Sequence, residues 1–171
     1  RRLLILSGNL IELIIHIFAA GDFFPIRWTL VSEEIEYHIE SITDVEIYRI
    51  PSFEFLAFIK SDADVLYEFT RRMLIRVGGM NKRMQHLAFG NAHAKVASIL
   101  TILGKRFGKK RENALIIQIP LTHKDIANLV GISRETASLE MEKLEKEKII
   151  SYDNKTIVIL NFDLLKKESI L

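Results

Sequence analysis

The strongest constraint on this chain lies in residues 121–160. Thr122-His-Lys-Asp125 sets a capping hydroxyl three residues before a carboxylate, the pattern of a helix capping box. The helix it opens carries Ile126, Ala127, Leu129 and Val130 on its apolar side. Gly131 ends it, where a tight turn needs a residue without a Cβ. Ser133 then caps a second helix, on which Ala137, Met141 and Leu144 recur at four- and three-residue steps. That spacing leaves Arg134, Glu135, Ser138 and Leu139 on the opposite face. Small Ala127 lets the two helices cross closely. Two β-rich runs, 149–152 and 156–160, follow about Asp153-Asn154-Lys155 and predict a hairpin. Together these features predict a winged helix-turn-helix, with the second helix offered to the major groove of DNA. A helical hairpin that binds nothing would share the capped turn, but would have no use for the polar outward face or the wing.

Charge is distributed unevenly. Through Lys60 acids outnumber bases, whereas from Arg71 to Arg111 there is no Asp or Glu and Arg and Lys recur. The split points the second half toward a polyanion, although a solvated basic helix face would look the same. Absence of cysteine removes disulfides, thiolate zinc sites, cysteine-ligated clusters and cysteine nucleophiles, and fits a cytoplasmic location.

The first sixty residues predict an antiparallel β unit, a roll or partial barrel. The apolar run 3–20 is broken by Ser7, Gly8, Asn9, Glu12 and His16. It is too polar to span a membrane, so it reads as buried strands. Segment 10–18 is β-branched, and 34–39 and 45–50 alternate apolar with polar, as half-buried strands do. Gly21-Asp22, Ser41 and Thr43-Asp44 supply turns, and Pro51 fits the first turn of a short helix. The chain opens on Arg1-Arg2 instead of Met, which suggests a fragment of a longer chain.

A long helix follows, with Ser61 or Asp62 as its cap. Leu66, Phe69, Met73, Val77, Met80, Met84 and Leu87 recur at three- and four-residue steps, a seam suited to a partner helix. Gly78-Gly79 weakens this helix, each Gly by about 1 kcal/mol, yet the apolar spacing resumes beyond. Gly90-Asn91 is a break. Segment 92–107 is a second helix burying Val96, Ile99, Leu100 and Leu103, Lys109-Lys110-Arg111 is a basic linker, and 115–119 is a short strand closed by Pro120. The division expected is a partial sensor roll over 1–60, a dimerisation helix over 61–89 and a DNA-binding domain over 90–171. A homodimer is expected through Phe69, Met73, Met80, Met84 and Leu87.

Residues 121–127, 130–136, 143–147 and 154–158 resemble the DNA-binding domain of the Crp/Fnr family of bacterial regulators almost end to end. Gly21-Asp-Phe-Phe24, the acid-rich β unit and the long helix are similar to the family's sensor roll and dimerisation helix, with the first strands of the roll missing. The resemblance implies an α+β fold: a partial cyclic-nucleotide-binding-like β-roll, a dimerisation helix and a C-terminal winged helix-turn-helix. It implies that Arg134 and Glu135, with Ser138 nearby and Leu139 at the next groove-facing position, read bases. Arg can fork onto guanine and Glu accept from cytosine. Thr122, Lys124, Ser133, Thr136 and Lys155 would hold phosphates. The implied partners are double-stranded DNA with a palindromic operator, a second copy of the chain, and RNA polymerase; the effector is not identified. Three positions depart from the family pattern. Leu139 stands where an Arg is usual, Ala137 where Val or Ile is usual, and Lys148 where a Gly commonly closes the recognition helix.

The sensor half departs further. Cyclic-nucleotide-binding members use a Gly-Glu pair for the ribose and an Arg-Ser or Arg-Thr pair for the phosphate. After Gly21-Asp-Phe-Phe24 this chain continues through Arg27, Trp28, Glu33, Glu34 and Glu36 with neither pair, and three glutamates would repel a phosphate. Cyclic AMP is therefore not expected to bind. The five histidines show no metal-ligand spacing, and no catalytic constellation or phosphate-cradling loop is present. Neither a metal, a cofactor nor an enzyme activity is expected. The alternative to a regulator is a ligand- or protein-binding sensor dimer with weak or non-specific DNA binding.

Overall fold

A computed structural model describes residues 3–7, 13–31, 37–154 and 156–170. The fold is α+β. Three strands pair antiparallel near the N-terminus: β1 (Leu3–Ser7), β2 (Leu13–Phe18) and β3 (Tyr37–Ser41), in the order β2-β1-β3. Leu3 lies opposite Phe18 and Ser41, and the β1–β2 register shifts between Ile5 and Leu6. Ile14 and Ile17 of β2 are buried in the main core, whereas Phe18 is buried in a second cluster with Ile15, Phe24 and Ile39. Residues 10–12 and 34–36 of the expected strands lie outside the described residues.

One expectation for this region is corrected. Residues 45–50 form no strand, and Ile47, Tyr48 and Ile50 stand exposed. Alternation marks a strand only when a neighbour takes up its backbone hydrogen bonds, and no described strand pairs with this segment. Residues 26–31, for which the sequence pattern predicts no element, form α1 (Ile26–Val31). Pro51 precedes α2 (Ser52–Lys60), as its fixed φ allows.

The long helix α3 runs unbroken over Ala63–Ala88, opened by Asp62, whose carboxylate accepts from the N–H groups of Asp64 and Val65. Gly78 and Gly79 lie within it. Its inner face carries Phe69, whose ring sits 5.7 Å from Phe23 and 5.9 Å from Phe55. Arg76 on the same face lies over Phe23 and Phe18. Arg83 donates to the carbonyls of Ile14 and Ile15 and, at 2.8 Å, to that of Leu129.

After the break at 89–91, Asn91 caps α4 (Ala92–Phe107). A four-stranded antiparallel sheet follows in the order β4-β5-β7-β6, from β4 (Gly108–Arg111), β5 (Ala114–Ile117), β6 (Ile150–Asp153) and β7 (Thr156–Ile159). The supposed linker Lys109-Lys110-Arg111 is thus an edge strand. Exposed lysines there follow the usual protection of an open sheet edge. Helices α5 (His123–Val130) and α6 (Arg134–Lys146) form the capped pair, and α7 (Phe162–Glu168) closes the domain on buried Leu165. The core joins Val96 and Leu100 of α4, Ile126, Ala137, Met141 and Leu144 of the pair, and Ile117, Ile157 and Ile159 of the sheet. A Cβ at Gly104 would come within 2.7 Å of the Ile159 Cδ1, so glycine lets α4 lie this close to β7.

Candidate nucleic-acid interface

The helix pair is built by its caps. The Thr122 side chain accepts from the Asp125 N–H while Asp125 accepts from the Thr122 N–H at 2.7 Å, a complete capping box. Such caps satisfy N–H groups that have no partner within the helix. Gly131 closes α5 at φ 68°, the left-handed region that a Cβ disfavours. The Ser133 hydroxyl accepts from the Thr136 N–H at 3.1 Å and lies 3.0 Å from the Thr136 hydroxyl. These caps fix where α6 starts and how it is rolled.

That roll buries Ala137, Met141 and Leu144 completely and leaves Arg134, Glu135 and Leu139 exposed, Leu139 at 58%. Leu139 follows Ala137 by two residues, roughly 200° around a helix, so one must face out when the other faces in. Glu135 is held below the usual carboxylate range, first by its own backbone N–H and then by the Ser133 hydroxyl. It is an ionised acceptor, the state needed to receive a hydrogen from a base edge. Lys124 is exposed on α5. Lys155 lies outside the described residues, as do Glu33, Glu34 and Glu36.

Sequence reading missed two polar groups that hold α6 in place. His123 Nδ1 is 2.8 Å from the Ser138 hydroxyl and its Nε2 is 2.8 Å from the Tyr152 hydroxyl. Ser138 is therefore only half-exposed and already engaged within the fold. Glu140, nearly buried, pairs with His93 Nδ1 at 2.9 Å and accepts from Lys143 at 2.8 Å. Burial alone would push the Glu140 carboxyl up, but the bonds from Lys143 and His93 hold it below its ordinary value. His93 reaches α4 to α7 as well, with Nε2 3.4 Å from Glu168. Only the Glu140–Lys143 spacing was visible locally. The partners of His123 lie 15 and 29 residues away, where no periodic signal reaches.

The five residues assigned to a dimer seam divide. Phe69 packs on Phe23 and Phe55, and Leu87 packs against the core, so both are occupied within the chain. Met73 is half-buried, while Met80 and Met84 are exposed, together with Leu66, Tyr67, Leu74 and Val77. Among the described residues no three metal-binding side chains cluster, and no helix is long and apolar enough to cross a membrane.

This arrangement defines a winged-helix DNA-binding protein. Residues 94–168 match the Crp-like helix-turn-helix domain. Over 149 residues the chain is 27% identical to a cAMP-activated global transcriptional regulator of Pasteurella multocida, covering 86% of this chain and 71% of that protein. It is 24% identical over 153 residues to the cAMP-activated global transcriptional regulator Vfr of Pseudomonas aeruginosa, with the same coverage. A solved Crp/Fnr-family regulator from Thermus thermophilus superposes with a TM-score of 0.78 at 20% identity, covering 98% of this chain and 82% of that one. The C-terminal part of the chain is thus a Crp-like helix-turn-helix domain, and the chain as a whole is similar to transcription regulators of the Crp/Fnr family.

Proposed function

We propose that the chain acts as a homodimer on palindromic double-stranded DNA and reads sequence through α6. The observation that carries this is the exposed row Arg134, Glu135 and Leu139 on a helix capped by Ser133, whose other face buries Ala137, Met141 and Leu144. Arg134, Glu135 and Leu139 meet base edges, with Ser138 beside them. Thr122, Lys124, Ser133, Thr136 and Lys155 meet phosphates. The three hydroxyls among these also serve as cap groups or cap neighbours, so they would present phosphates to helix N-termini, where N–H groups favour anions. Residues 1–60 form the sensor unit, 61–89 the dimerisation helix and 90–171 the DNA-binding domain. RNA polymerase is the further partner, the cytoplasm the location, and no catalytic step is part of this role.

The two relatives are named as cAMP-activated. We infer a different effector for this chain, because neither the ribose-binding nor the phosphate-binding pair of the family follows Gly21-Asp22 in the sequence. The alternative, a sensor dimer that binds DNA only weakly, draws support from Leu139, which cannot make the forked guanine contact an Arg would. Gel shift of a palindromic duplex selected from random DNA, beside a random-sequence duplex at the same salt, tests the main reading. Tighter binding to the selected duplex supports it, and equal binding to both, or no shift at low salt, refutes it.

A further inference from the structure

His123 stands at the first position of α5 and touches both other elements of the candidate interface. Its Nδ1 meets Ser138 on α6, one turn beyond Arg134, and its Nε2 meets Tyr152 on wing strand β6, each at 2.8 Å. The imidazole and phenol rings lie 5.9 Å apart. Burial, followed by Glu145 and Glu142, pushes the Tyr152 phenol up to about 12, so it keeps its proton and can donate. A neutral imidazole has one donor nitrogen and one acceptor. In that state one of the two hydroxyls must give its hydrogen to the ring, and only the other can donate outward. A protonated ring donates at both nitrogens. Both hydroxyls then accept from it, and both are free to donate away from the protein. Phosphate oxygens and the major-groove edges of guanine offer acceptors.

We propose that His123 is a positioning residue for DNA recognition, which locks the recognition helix to the wing and takes up a proton when Ser138 and Tyr152 donate to DNA. This rests on the DNA-binding reading above. The charged groups on the three elements are Lys124 and Asp125 on α5, Arg134, Glu135, Glu140, Glu142, Lys143, Glu145 and Lys146 on α6, and Asp153 on β6. Bound polyanion adds negative charge on the open side, beside which a cation is favoured. One proton taken up per protomer tightens binding as pH falls, by at most about tenfold per pH unit for each His123 engaged.

The test uses the whole chain and a fluorescent duplex carrying the sequence it selects from random DNA. Affinity is measured from about pH 8 to about pH 6, the range in which histidine changes charge, at fixed salt. The parent is expected to bind tighter at the lower pH. His123→Gln is expected to lose most of the pH dependence. Tyr152→Phe is expected to flatten the profile as well, since one nitrogen then has no hydroxyl to serve. Parent-like slopes in His123→Gln overturn the proposal and leave the DNA-binding reading standing. If circular dichroism shows that His123→Gln does not fold, a parent-like slope in Tyr152→Phe overturns it instead. A parent that binds no duplex at either pH removes the DNA-binding reading and this proposal together.

Discussion

Arg106 of α4 donates to Asp22 at 2.8 Å and lies 3.1 Å from His16 Nε2, joining the C-terminal unit to the turn after β2. A guanidinium only donates, so His16 must accept and its ring is neutral. Burial, then Arg106 and Arg76, push the imidazole down to about 4. The unfolded chain protonates this residue near its ordinary value of about 6.5. Between those values the unfolded state holds the extra proton. Stability from the neutral ring is therefore full above about pH 6.5 and is lost as pH falls toward 4. The loss approaches about 3 kcal/mol as an upper figure. Urea denaturation across this window should show the decline, and His16→Gln should remove most of it. An equal decline in the variant would place its origin elsewhere.

Lys148 ends α6 at φ 56°, where an L side chain costs roughly 1–2 kcal/mol. The family commonly places Gly here, and the backbone shows why. Lys148→Gly should raise stability by up to about 1 kcal/mol after the unfolded-state entropy of glycine is counted. Thermal melting should report a higher Tm, and an unchanged or lower Tm would mean that the lysine side chain stabilises the corner.

Leu74, 67% exposed, sits in the outward stripe of α3 with Leu66, Val77 and Met84. Leu74→Glu should turn a dimer into a monomer in sedimentation at micromolar concentration, since a charge in a helix seam is left unpaired. An unaltered dimer would place the interface elsewhere.

What was legible beforehand follows from how local each signal is. The caps at Thr122 and Ser133, the corner at Gly131 and the two faces of α6 are set within a few residues, and the structure reproduces them. Residues 45–50 misled because alternation cannot say whether a partner strand exists. Lys109-Lys110-Arg111 misled because charge marks an edge strand as readily as a linker. On α3, periodicity grouped Phe69 with Met84 without telling which side meets the roll. The contacts of His123 with Ser138 and Tyr152 exist only once three elements have packed.

Lys124→Ala should weaken binding to all duplexes alike. Its loss should lower the salt slope by about one unit per phosphate contact, hence about two in a dimer. A slope equal to the parent's across a potassium chloride series would take Lys124 out of the interface.

The central claim is that α6 reads sequence in a two-fold dimer, and selection of bound duplexes from random DNA tests it most directly. The account predicts an enriched palindrome with half-sites about 34 Å apart. It also predicts that Leu139→Arg moves one position of each half-site toward guanine, by about 1–3 kcal/mol where a forked contact forms. No enriched sequence, or the same motif from the parent and Leu139→Arg, would contradict it.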